Sequence, residues 1–471
     1  MTTNAHRLES LQGIVGPEYI RGDLETLSAY AVDGMKPWAV VFPGDIEQVS
    51  EVVQLAGKEK LALIPWGSGS KIAMGNPPRR IDLAICTSRL NRVIDMDTAN
   101  LTVTVQAGMR FKDIQSILGT LEGKSIPHKD PADRGEKDCF IPLSPPCIDS
   151  ATLGGIIATN SSGPTRLLYG LPRDIVLGVR YVAPNGEIIR MGGKTVKNVS
   201  GYDMCKLMIG SQGSLGIVCE VILRLLPLPE RSGTFVSTFA SLSQASSFVD
   251  LLFQTSLLPA SVEILNSRAY EPLRPDGAAE LKARGYAAAV ALEGVQEAVD
   301  RMSSEIREMA LESGSKGNSY IQEDQHGVFW EGYSNLVPGL SDSYPDLVSF
   351  KLNYPISRYL EVIELADSLI SDRQLDHALL AHAGSGITMI HILVDQGNTS
   401  DLDRIISVAE RLLDRCRAIG GNLVIDRAKP EIKRRLPVWG LSREDLMVMK
   451  RIKNQMDPLE VFCPGRFVGG I

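Results

Sequence analysis

The sequence predicts an α+β protein with a two-part first domain and a second domain built on an antiparallel sheet. Residues 37–118 alternate segments of strand and helix periodicity, whereas residues 176–225 are dominated by strand patterns. Residues 229–430 alternate strands and helices without glycine-rich phosphate turns, which predicts an antiparallel sheet with helices packed on one face. The segment "LPLPERSG", residues 226–233, lies between these patterns, and its prolines and polar residues predict a domain boundary.

The first domain begins with a predicted β-α-β unit. The apolar segments "PWAVVFP" and "LALIP" predict strands, and Asp45 with Gln48 forms a capping box for the amphipathic helix between them. A second unit begins with the alternating strand "LTVTVQAG" and a helix pattern at residues 111–118. The long alternating segment "GIVCEVILRLLP" predicts the last strand of this domain.

Composition is that of an ordinary globular protein. Of the 471 residues, 44% are hydrophobic and 22% are charged, and the formal net charge of −7 argues against nucleic acid as a main partner. The N-terminus lacks the apolar region of a signal peptide and no run of about 18 uncharged apolar residues occurs, so we expect a cytoplasmic protein without a transmembrane segment. The 7 cysteines include no C-x-x-C pair, which favours reduced thiols and provides no iron–sulfur ligand set.

The segment "LIPWGSGSKIAMGNPP", residues 63–78, runs from an apolar strand directly into glycine and serine. A Walker loop is excluded because Ile72 follows Lys71, and a Rossmann fingerprint is excluded because it needs a glycine at position 72. Two interpretations remain. The segment is either a tight turn between strands or a loop in which Gly67 and Gly69 take positive φ and let backbone N–H groups converge on an anion.

Two further segments are unusually rich in small residues. The first is "SPPCIDSATLGGIIATNSSGP", residues 144–164, and the second is "GSQGSLGIV", residues 210–218. The first has too many small residues for a packed helix face and is too apolar for a linker. A backbone that approaches a flat ligand closely would explain this composition.

In their order along the chain, these segments resemble flavin oxidoreductases of the vanillyl-alcohol oxidase type, and most closely the FAD-binding subunits of glycolate oxidase and D-lactate dehydrogenase. The resemblance lies in five ordered motifs: "PWGSGS", "SATLGGIIATNSSG", "YGLPRDIVLGVRYVAPNGEI", "SGYDMCKLMIGSQGSLGIVCEVILRLLPLPE" and "MDPLEVFCPGR". It implies a FAD-binding domain of two α+β subdomains over residues 1–228, split near residue 92. It also implies an α+β cap domain with an antiparallel sheet over residues 229–430, and a C-terminal segment, residues 431–471, that returns to the FAD-binding domain.

The resemblance assigns residues to the cofactor. The FAD pyrophosphate would be held by N–H groups and one positive charge from Gly67, Ser68, Gly69, Ser70 and Lys71, and Pro65 would set the angle at which the chain enters this loop. The flavin would lie along Thr152, Gly154, Gly155, Ala158, Asn160 and Gly163, and the adenine or ribityl side would contact Gly216, Ile217 and Val218. Pro145, Gly213 and Arg466 complete the predicted FAD contacts, although Arg466 is equally compatible with a surface cation. Because His128 lies in a charged loop typical of solvated residues, we expect FAD to be bound non-covalently.

The cap carries three candidate catalytic residues. Relatives that oxidise 2-hydroxy acids bind the substrate carboxylate with the arginine of a "W-x-x-R" stretch, and "WEGYSN" places Tyr333 at that position. Lys351 in "FKLNYP" and His382 in "HAGSG" match the family's lysine and first histidine. His382 is the expected base, and its alternative interpretation is a buried core histidine.

Two departures from the family pattern predict that no metal is bound. The second histidine of the family motif is replaced by Met389, and His391 lies two residues further along, about 6 to 7 Å away on a strand. The stretch "GGNLV" places Asn422 and Leu423 where relatives have glutamate and histidine. We therefore expect weak or absent hydroxy-acid oxidation by the isolated chain.

The predicted function is that of a FAD-dependent oxidoreductase subunit acting on a 2-hydroxy acid or 2-keto acid. Electrons would pass to an iron–sulfur subunit, a second flavin subunit or an electron-transfer flavoprotein, through which the chain could be peripheral to a membrane. The alternative is a flavin-carrying accessory or electron-transfer subunit without substrate chemistry, which the cap departures favour. A redox-neutral flavin transferase resembling alkylglycerone-phosphate synthase ranks last because the cap has no comparable histidine-rich motif.

Overall fold

A computed structural model describes residues 2–119, 138–194, 201–282, 284–440 and 444–471 of the chain. His128 lies outside the described residues. Among those described, no helix is long and apolar enough to cross a membrane.

The described residues contain the following helices and strands. The helices are α1 (Thr2–Val15), α2 (Leu24–Ala29), α3 (Ile46–Glu59), α4 (Phe111–Leu118), α5 (Leu153–Thr159), α6 (Arg166–Tyr169), α7 (Pro172–Ile175), α8 (Met204–Met208), α9 (Leu242–Phe253), α10 (Ser267–Tyr270), α11 (Gln296–Glu312), α12 (Glu323–Ser334), α13 (Leu336–Ser343), α14 (Tyr359–Ser371), α15 (Leu402–Ala418), α16 (Pro430–Arg435) and α17 (Leu446–Met456). The strands are β1 (Ile20–Arg21), β2 (Ala39–Val41), β3 (Leu63–Trp66), β4 (Leu83–Cys86), β5 (Val93–Asp97), β6 (Thr102–Gln106), β7 (Cys139–Phe140), β8 (Val176–Val182), β9 (Ile188–Gly192), β10 (Ile217–Arg224), β11 (Leu226–Pro227), β12 (Arg231–Phe239), β13 (Ser261–Asn266), β14 (Tyr286–Gly294), β15 (Gly317–Gln322), β16 (Val348–Asn353), β17 (His377–His382), β18 (Ile387–Ile392) and β19 (Asn422–Arg427).

The first part of the chain contains two sheets, in the strand orders β1-β2-β4-β3 and β5-β6-β10-β8-β9. The predicted β-α-β unit is present, with β2 and β3 both parallel to β4, which lies between them. Its helix begins as predicted, because the Asp45 side chain accepts a hydrogen bond of 2.8 Å from the Gln48 backbone N–H. In the second sheet, the long strand β10 pairs antiparallel with β6 and with β8.

The first small-residue segment is partly helical, which the sequence did not predict. Helix α5 buries Leu153, Ile156 and Ile157, whose spacing places them on one face. The helix begins at the side chain of Thr152 and ends at Asn160, which has a φ of 48°. The small residues therefore lie on the opposite face of a short packed helix.

The cap is an antiparallel sheet in the order β15-β12-β14-β13-β17-β18-β16-β19. One face, including Ile264 and Val290, packs on α9, α11, α14 and α15. The other face, including Leu265 and Leu380, packs on α10, α12 and α13, so the prediction of helices on one face alone is wrong. The α+β fold class with an antiparallel cap sheet is confirmed.

The C-terminal residues lie against the first sheet. The backbone N–H of Leu63 donates to Val461 O at 2.6 Å, and that of Cys463 donates to Leu63 O at 3.0 Å. The buried ammonium of Lys453 donates to Asp457 at 2.6 Å and to Phe462 O at 2.9 Å. These contacts place residues 461–463, which precede Arg466, alongside β3. The domain limits given above stay predictions.

Candidate functional site

Two adjoining cavities lie where the cap meets the first part of the chain. The larger contains about 1080 Å³ of space, part of it open to solvent, between the first small-residue segment and the second face of the cap sheet. The smaller lies over the loop that follows β3. Ser70, Lys71 and Thr159 line both cavities, so together they form a continuous elongated site.

The loop after β3 is shaped for close contact. Gly69 has a φ of 80°, and a Cβ there would lie 2.7 Å from the Trp66 ring. Gly67 lacks the predicted positive φ, and its glycine is needed because a Cβ would lie 2.1 Å from Thr152 Oγ1. Most of the predicted pyrophosphate and flavin residues line this smaller cavity, namely Pro65, Gly67, Ser68, Gly69, Ser70, Lys71, Thr152, Gly155, Ala158, Gly213 and Arg466.

Arg466 closes the smaller cavity and is 6% exposed, so the alternative of a surface cation is wrong. Its Nη2 donates to Ile72 O at 2.8 Å and to Met74 O at 2.6 Å. Its Nη1 is buried without a hydrogen-bond partner among the described residues. Burial lowers the pKa of Arg466, because a charge out of water is unfavourable until it is paired. An anion in the adjoining cavity would satisfy the unpaired N–H groups.

The larger cavity holds two more of the predicted flavin contacts. Asn160 and Gly163 line it, and the Oδ1 of Asn160 is buried without a hydrogen-bond partner within the described part of the chain. A Cβ at Gly163 would lie 1.9 Å from Ser144 O. The other predicted contacts, Pro145, Gly154, Gly216, Ile217 and Val218, line neither cavity. Their contact with FAD stays a prediction.

A buried carboxylate, Glu263, binds a histidine and a tyrosine that line the larger cavity. Glu263 on β13 lies opposite His382 on β17, and His382 Nδ1 is 2.7 Å from Glu263 Oε1. The Tyr333 hydroxyl on α12 donates to Glu263 Oε2 at 2.5 Å. Burial, and then the charge of Glu263, raise the pKa of Tyr333 well above its ordinary value, so its hydroxyl stays protonated. The carboxylate therefore favours a proton on His382 Nδ1, which leaves Nε2 as the acceptor of the neutral ring.

Glu263 was missed by the sequence analysis. Residues 260–266, "ASVEILN", fall within the predicted alternation of strands and helices and were given no role, yet Glu263 is 1% exposed and is hydrogen-bonded to both His382 and Tyr333. A lone carboxylate within an apolar strand is a detectable signal, because charged residues are rarely fully buried unless paired. The pairing itself spans 119 residues and could not be read from spacing.

Lys351 brings an unpaired amine into the same cavity. It makes no hydrogen bond or ion pair with any described residue, and burial lowers its pKa to about 8 against the opposing pull of Asp426. Asp426 lies 3.9 Å from Lys71 Nζ, and its Oδ1 is buried without a hydrogen-bond partner in the described ranges. The Lys351 amine and Asp426 Oδ1 are therefore two polar groups of this cavity without hydrogen-bond partners among the described residues.

Asn422 and Leu423, which stand where relatives have glutamate and histidine, line neither cavity. Asn422 Nδ2 donates to Trp439 O at 3.1 Å, and Leu423 is buried in the cap core. Asp426 and Arg427 line the cavity instead. The pairing of β19 with β16 shifts register where Arg427 pairs with Ser349 and Ile425 with Phe350, which leaves Asp426 as the extra residue of a bulge. A bulge changes which side chains face the cavity, and sequence spacing does not show it.

His391 lines the same cavity as His382. The two histidines lie on neighbouring strands, where His382 pairs with Ile387. His391 is four residues beyond Ile387, about 13 Å along the strand. Burial lowers the pKa of His391 to about 4, so it is neutral. Among the described residues, no group of 3 or more His, Cys, Asp or Glu side chains is placed to hold a metal ion, and the expected lack of metal stays a prediction.

Comparison with known families identifies the chain. Residues 228–467, about half of its length, match the family described as "FAD linked oxidases, C-terminal domain". The chain belongs to the FAD-linked oxidase family. The "FAD binding domain" family matches residues 37–129 and 133–192. FAD is therefore the cofactor of this FAD-linked oxidase, and the chain is an oxidoreductase.

Curated relatives align over nearly the whole chain. The glycolate oxidase subunit GlcD of Bacillus subtilis is 26% identical, with 97% of this chain and 96% of that protein covered. The D-2-hydroxyglutarate dehydrogenase of Xanthomonas citri pv. viticola is also 26% identical, with 98% and 96% covered. The solved structure of p-cresol methylhydroxylase with substrate bound superposes with a TM-score of 0.74 at 16% identity and therefore shares the fold.

The residues of this FAD-linked oxidase fit the cofactor. The smaller cavity offers a glycine-lined loop and an unpaired buried guanidinium, which suit a pyrophosphate. It adjoins a larger space lined by Asn160 and Gly163, as an elongated dinucleotide requires. Of the two interpretations of the loop, anion binding is the one that this arrangement supports.

Proposed function

We propose that this FAD-linked oxidase oxidises a small 2-hydroxy acid to the corresponding 2-oxo acid, in contrast to the weak or absent oxidation that the sequence alone led us to expect. The observation that carries the proposal is the buried Glu263–His382 pair, whose histidine lines the cavity next to the predicted FAD residues. The names of its relatives, a glycolate oxidase subunit and a D-2-hydroxyglutarate dehydrogenase, support the same substrate class.

In the proposed reaction, His382 Nε2 takes the proton of the substrate hydroxyl. Glu263 holds the imidazole through Nδ1 and stabilises the imidazolium that forms, since both of its oxygens lie within 2.8 Å of that nitrogen. The Tyr333 hydroxyl fixes the carboxylate from the other side. Bound FAD would supply the acceptor for the hydride that leaves the α-carbon.

The charge of the cavity favours an anionic substrate. Its lining includes Lys71, Arg166, Lys351 and Arg427, against one lining carboxylate, Asp426. Lys71 is near that carboxylate, whereas Lys351 has no counterion among the described residues. A carboxylate substrate would supply the missing negative charge.

Substrate affinity is expected to weaken as the pH rises through about 8. Because the pKa of Lys351 is lowered to about 8, its amine is charged below that pH and neutral above it. A KM profile for D-lactate should rise above this pH in the parent protein and lose that rise in Lys351→Met, which keeps the aliphatic stem. Lys58→Met, at an exposed position on α3, is the matched control. A pH profile shared by the parent and Lys351→Met would contradict the role of Lys351.

Steady-state turnover with an artificial electron-accepting dye tests the proposed activity. A panel of mono- and dicarboxylic 2-hydroxy acids, each as both enantiomers, is expected to contain at least one that reduces the dye through the purified protein. Failure of the whole panel with a fully flavin-loaded protein would overturn the proposal.

We also propose that electrons leave to a separate protein. The candidates are an iron–sulfur subunit, a second flavin subunit or an electron-transfer flavoprotein, because the sequence lacks a cysteine set for a cluster of its own. The glycolate oxidase relative is named as a subunit, which supports a complex. Purification of the native protein at low salt should recover such a partner at a fixed ratio. Recovery of the chain alone, with full activity toward oxygen, would contradict a separate acceptor.

The alternative proposal is a flavin-carrying accessory subunit without substrate chemistry. It is favoured by Tyr333, which replaces the arginine of relatives and whose hydroxyl donates its hydrogen bond to Glu263. Under this alternative, the flavin would accept electrons from a reduced partner but from no hydroxy acid. The dye assay therefore separates the two proposals.

A further inference from the structure

Arg166 brings a second unpaired cation into the larger cavity, from the first part of the chain. It is the first residue of α6, and its Nε donates to Gly163 O at 3.2 Å. Its Nη2 donates to Ser162 O at 2.6 Å and to Ser162 Oγ at 2.5 Å. Its Nη1 has no hydrogen-bond partner among the described residues, and none of their carboxylates forms an ion pair with Arg166. Two of the three guanidinium nitrogens bind Ser162 and Gly163, and Nη1 is available to a ligand.

The nearby carboxylate of Glu263 attracts Arg166 electrostatically but forms no ion pair with it. The two oxygens of Glu263 are occupied by His382 Nδ1 and by the Tyr333 hydroxyl. Burial lowers the pKa of Arg166, whereas the charge of Glu263 raises it, so the guanidinium remains charged in the cavity.

Arg166 and Lys351 share one region of the cavity. Both line it, and the charge of Arg166 contributes to lowering the pKa of Lys351. Two like charges in a partly buried site repel each other, because the surroundings screen them poorly. An anion that contacts both would remove this repulsion and supply the missing hydrogen-bond acceptors.

The position of Arg166 is fixed by both parts of the chain. The backbone N–H of Thr165 donates to Ser144 Oγ at 3.1 Å, and at the end of α6 the Tyr169 hydroxyl donates to Glu293 Oε2 on β14 at 2.5 Å. The short helix is thereby held between the small-residue segment and the cap sheet. A guanidinium held in this way loses little conformational freedom when it binds a ligand.

We propose that Arg166 Nη1 and Lys351 Nζ together bind the carboxylate of the substrate. This proposal rests on the proposed function and names the residues that recognise the acid. Arg166 takes the role of the arginine that relatives carry at the position of Tyr333. The sequence gives no sign of this replacement, because Arg166 lies in the first domain and in a different motif.

Paired probes test this assignment, namely D-lactate and its neutral amide D-lactamide. Their apparent affinities are taken from the concentration dependence of the change in flavin absorbance under anaerobic conditions, whether the ligand perturbs the flavin or reduces it. Arg166→Gln is expected to weaken D-lactate binding by about 10- to 100-fold and to leave D-lactamide binding unchanged, since a charge-assisted hydrogen bond is lost. Arg166→Lys should restore much of the preference for the acid. Arg190→Gln, at an exposed position on β9, is the matched control.

The outcomes separate this inference from the proposed function. If Arg166→Gln retains its FAD and the parental preference for the acid over the amide, the inference is wrong even when D-lactate reduces the flavin. If the preference collapses in Arg166→Gln but no 2-hydroxy acid reduces the parent flavin, the carboxylate site stands and the proposed oxidation is wrong. If Arg166→Gln loses FAD, Lys351→Met decides, because the parental preference for the acid over the amide in that variant would contradict the inference.

Discussion

Gly69→Asp protein is expected to purify without FAD, whereas the parent protein purifies yellow with stoichiometric FAD that heat or acid releases. Gly69 has a φ of 80°, and a Cβ at this position would lie 2.7 to 2.9 Å from atoms of the Trp66 ring. The added carboxylate would also lie in the cavity closed by Arg466, where the pyrophosphate is expected, and would repel it. Flavin content per chain after gel filtration is the measurement.

A matched glycine controls for backbone strain alone. Gly397 has a φ of 77°, and no other atom lies within 4 Å of a Cβ added there. Gly397→Asp should therefore retain FAD while suffering similar backbone strain. Full flavin content in Gly69→Asp would show that this loop does not bind the pyrophosphate.

His382→Gln is expected to slow flavin reduction by the best 2-hydroxy acid by about 10²- to 10⁴-fold, because it removes the positioned base. The FAD content should not change, since His382 is not among the residues that line the smaller cavity. Glu263→Gln should also slow the reaction, because the neutral amide stabilises the imidazolium less than a carboxylate does. Rapid-mixing measurements under anaerobic conditions give the rate directly.

His377→Gln is the matched control for this variant. His377 lies on the same strand β17, and its Nε2 is 2.6 Å from the Asp367 carboxylate, but it is not among the residues that line either cavity. The flavin of His377→Gln should be reduced by the 2-hydroxy acid at the parental rate. If the flavin of His382→Gln is reduced as fast as that of His377→Gln, His382 is a core histidine, which is the alternative that the sequence left open.

Local signals predicted much of the fold and of the cofactor site. The Asp45 cap, the alternating strand β6 and the turn at Gly69 each depend on residues close in sequence, so their patterns are visible without a structure. The FAD loop and the cofactor were likewise predicted from short ordered motifs, and the family match confirms the cofactor.

The catalytic residues were predicted less completely, because their arrangement depends on contacts distant in sequence. Glu263 pairs with His382 across 119 residues. Asp426 reaches the cavity through a bulge in β19, which the alternation of a regular strand does not show. Arg166 belongs to the first domain yet lies with cap residues, so no motif of the cap could reveal it.

The central claim is that this chain itself oxidises a 2-hydroxy acid in the larger cavity. Single-turnover product analysis tests it most directly. The purified, fully flavin-loaded protein is mixed anaerobically with the best 2-hydroxy acid of the panel, without any other electron acceptor. We expect the flavin to be reduced and the corresponding 2-oxo acid to appear in an amount equal to the flavin reduced. A flavin that stays oxidised with every acid at saturating concentration, yet is reduced by dithionite, would contradict the account and favour the accessory subunit.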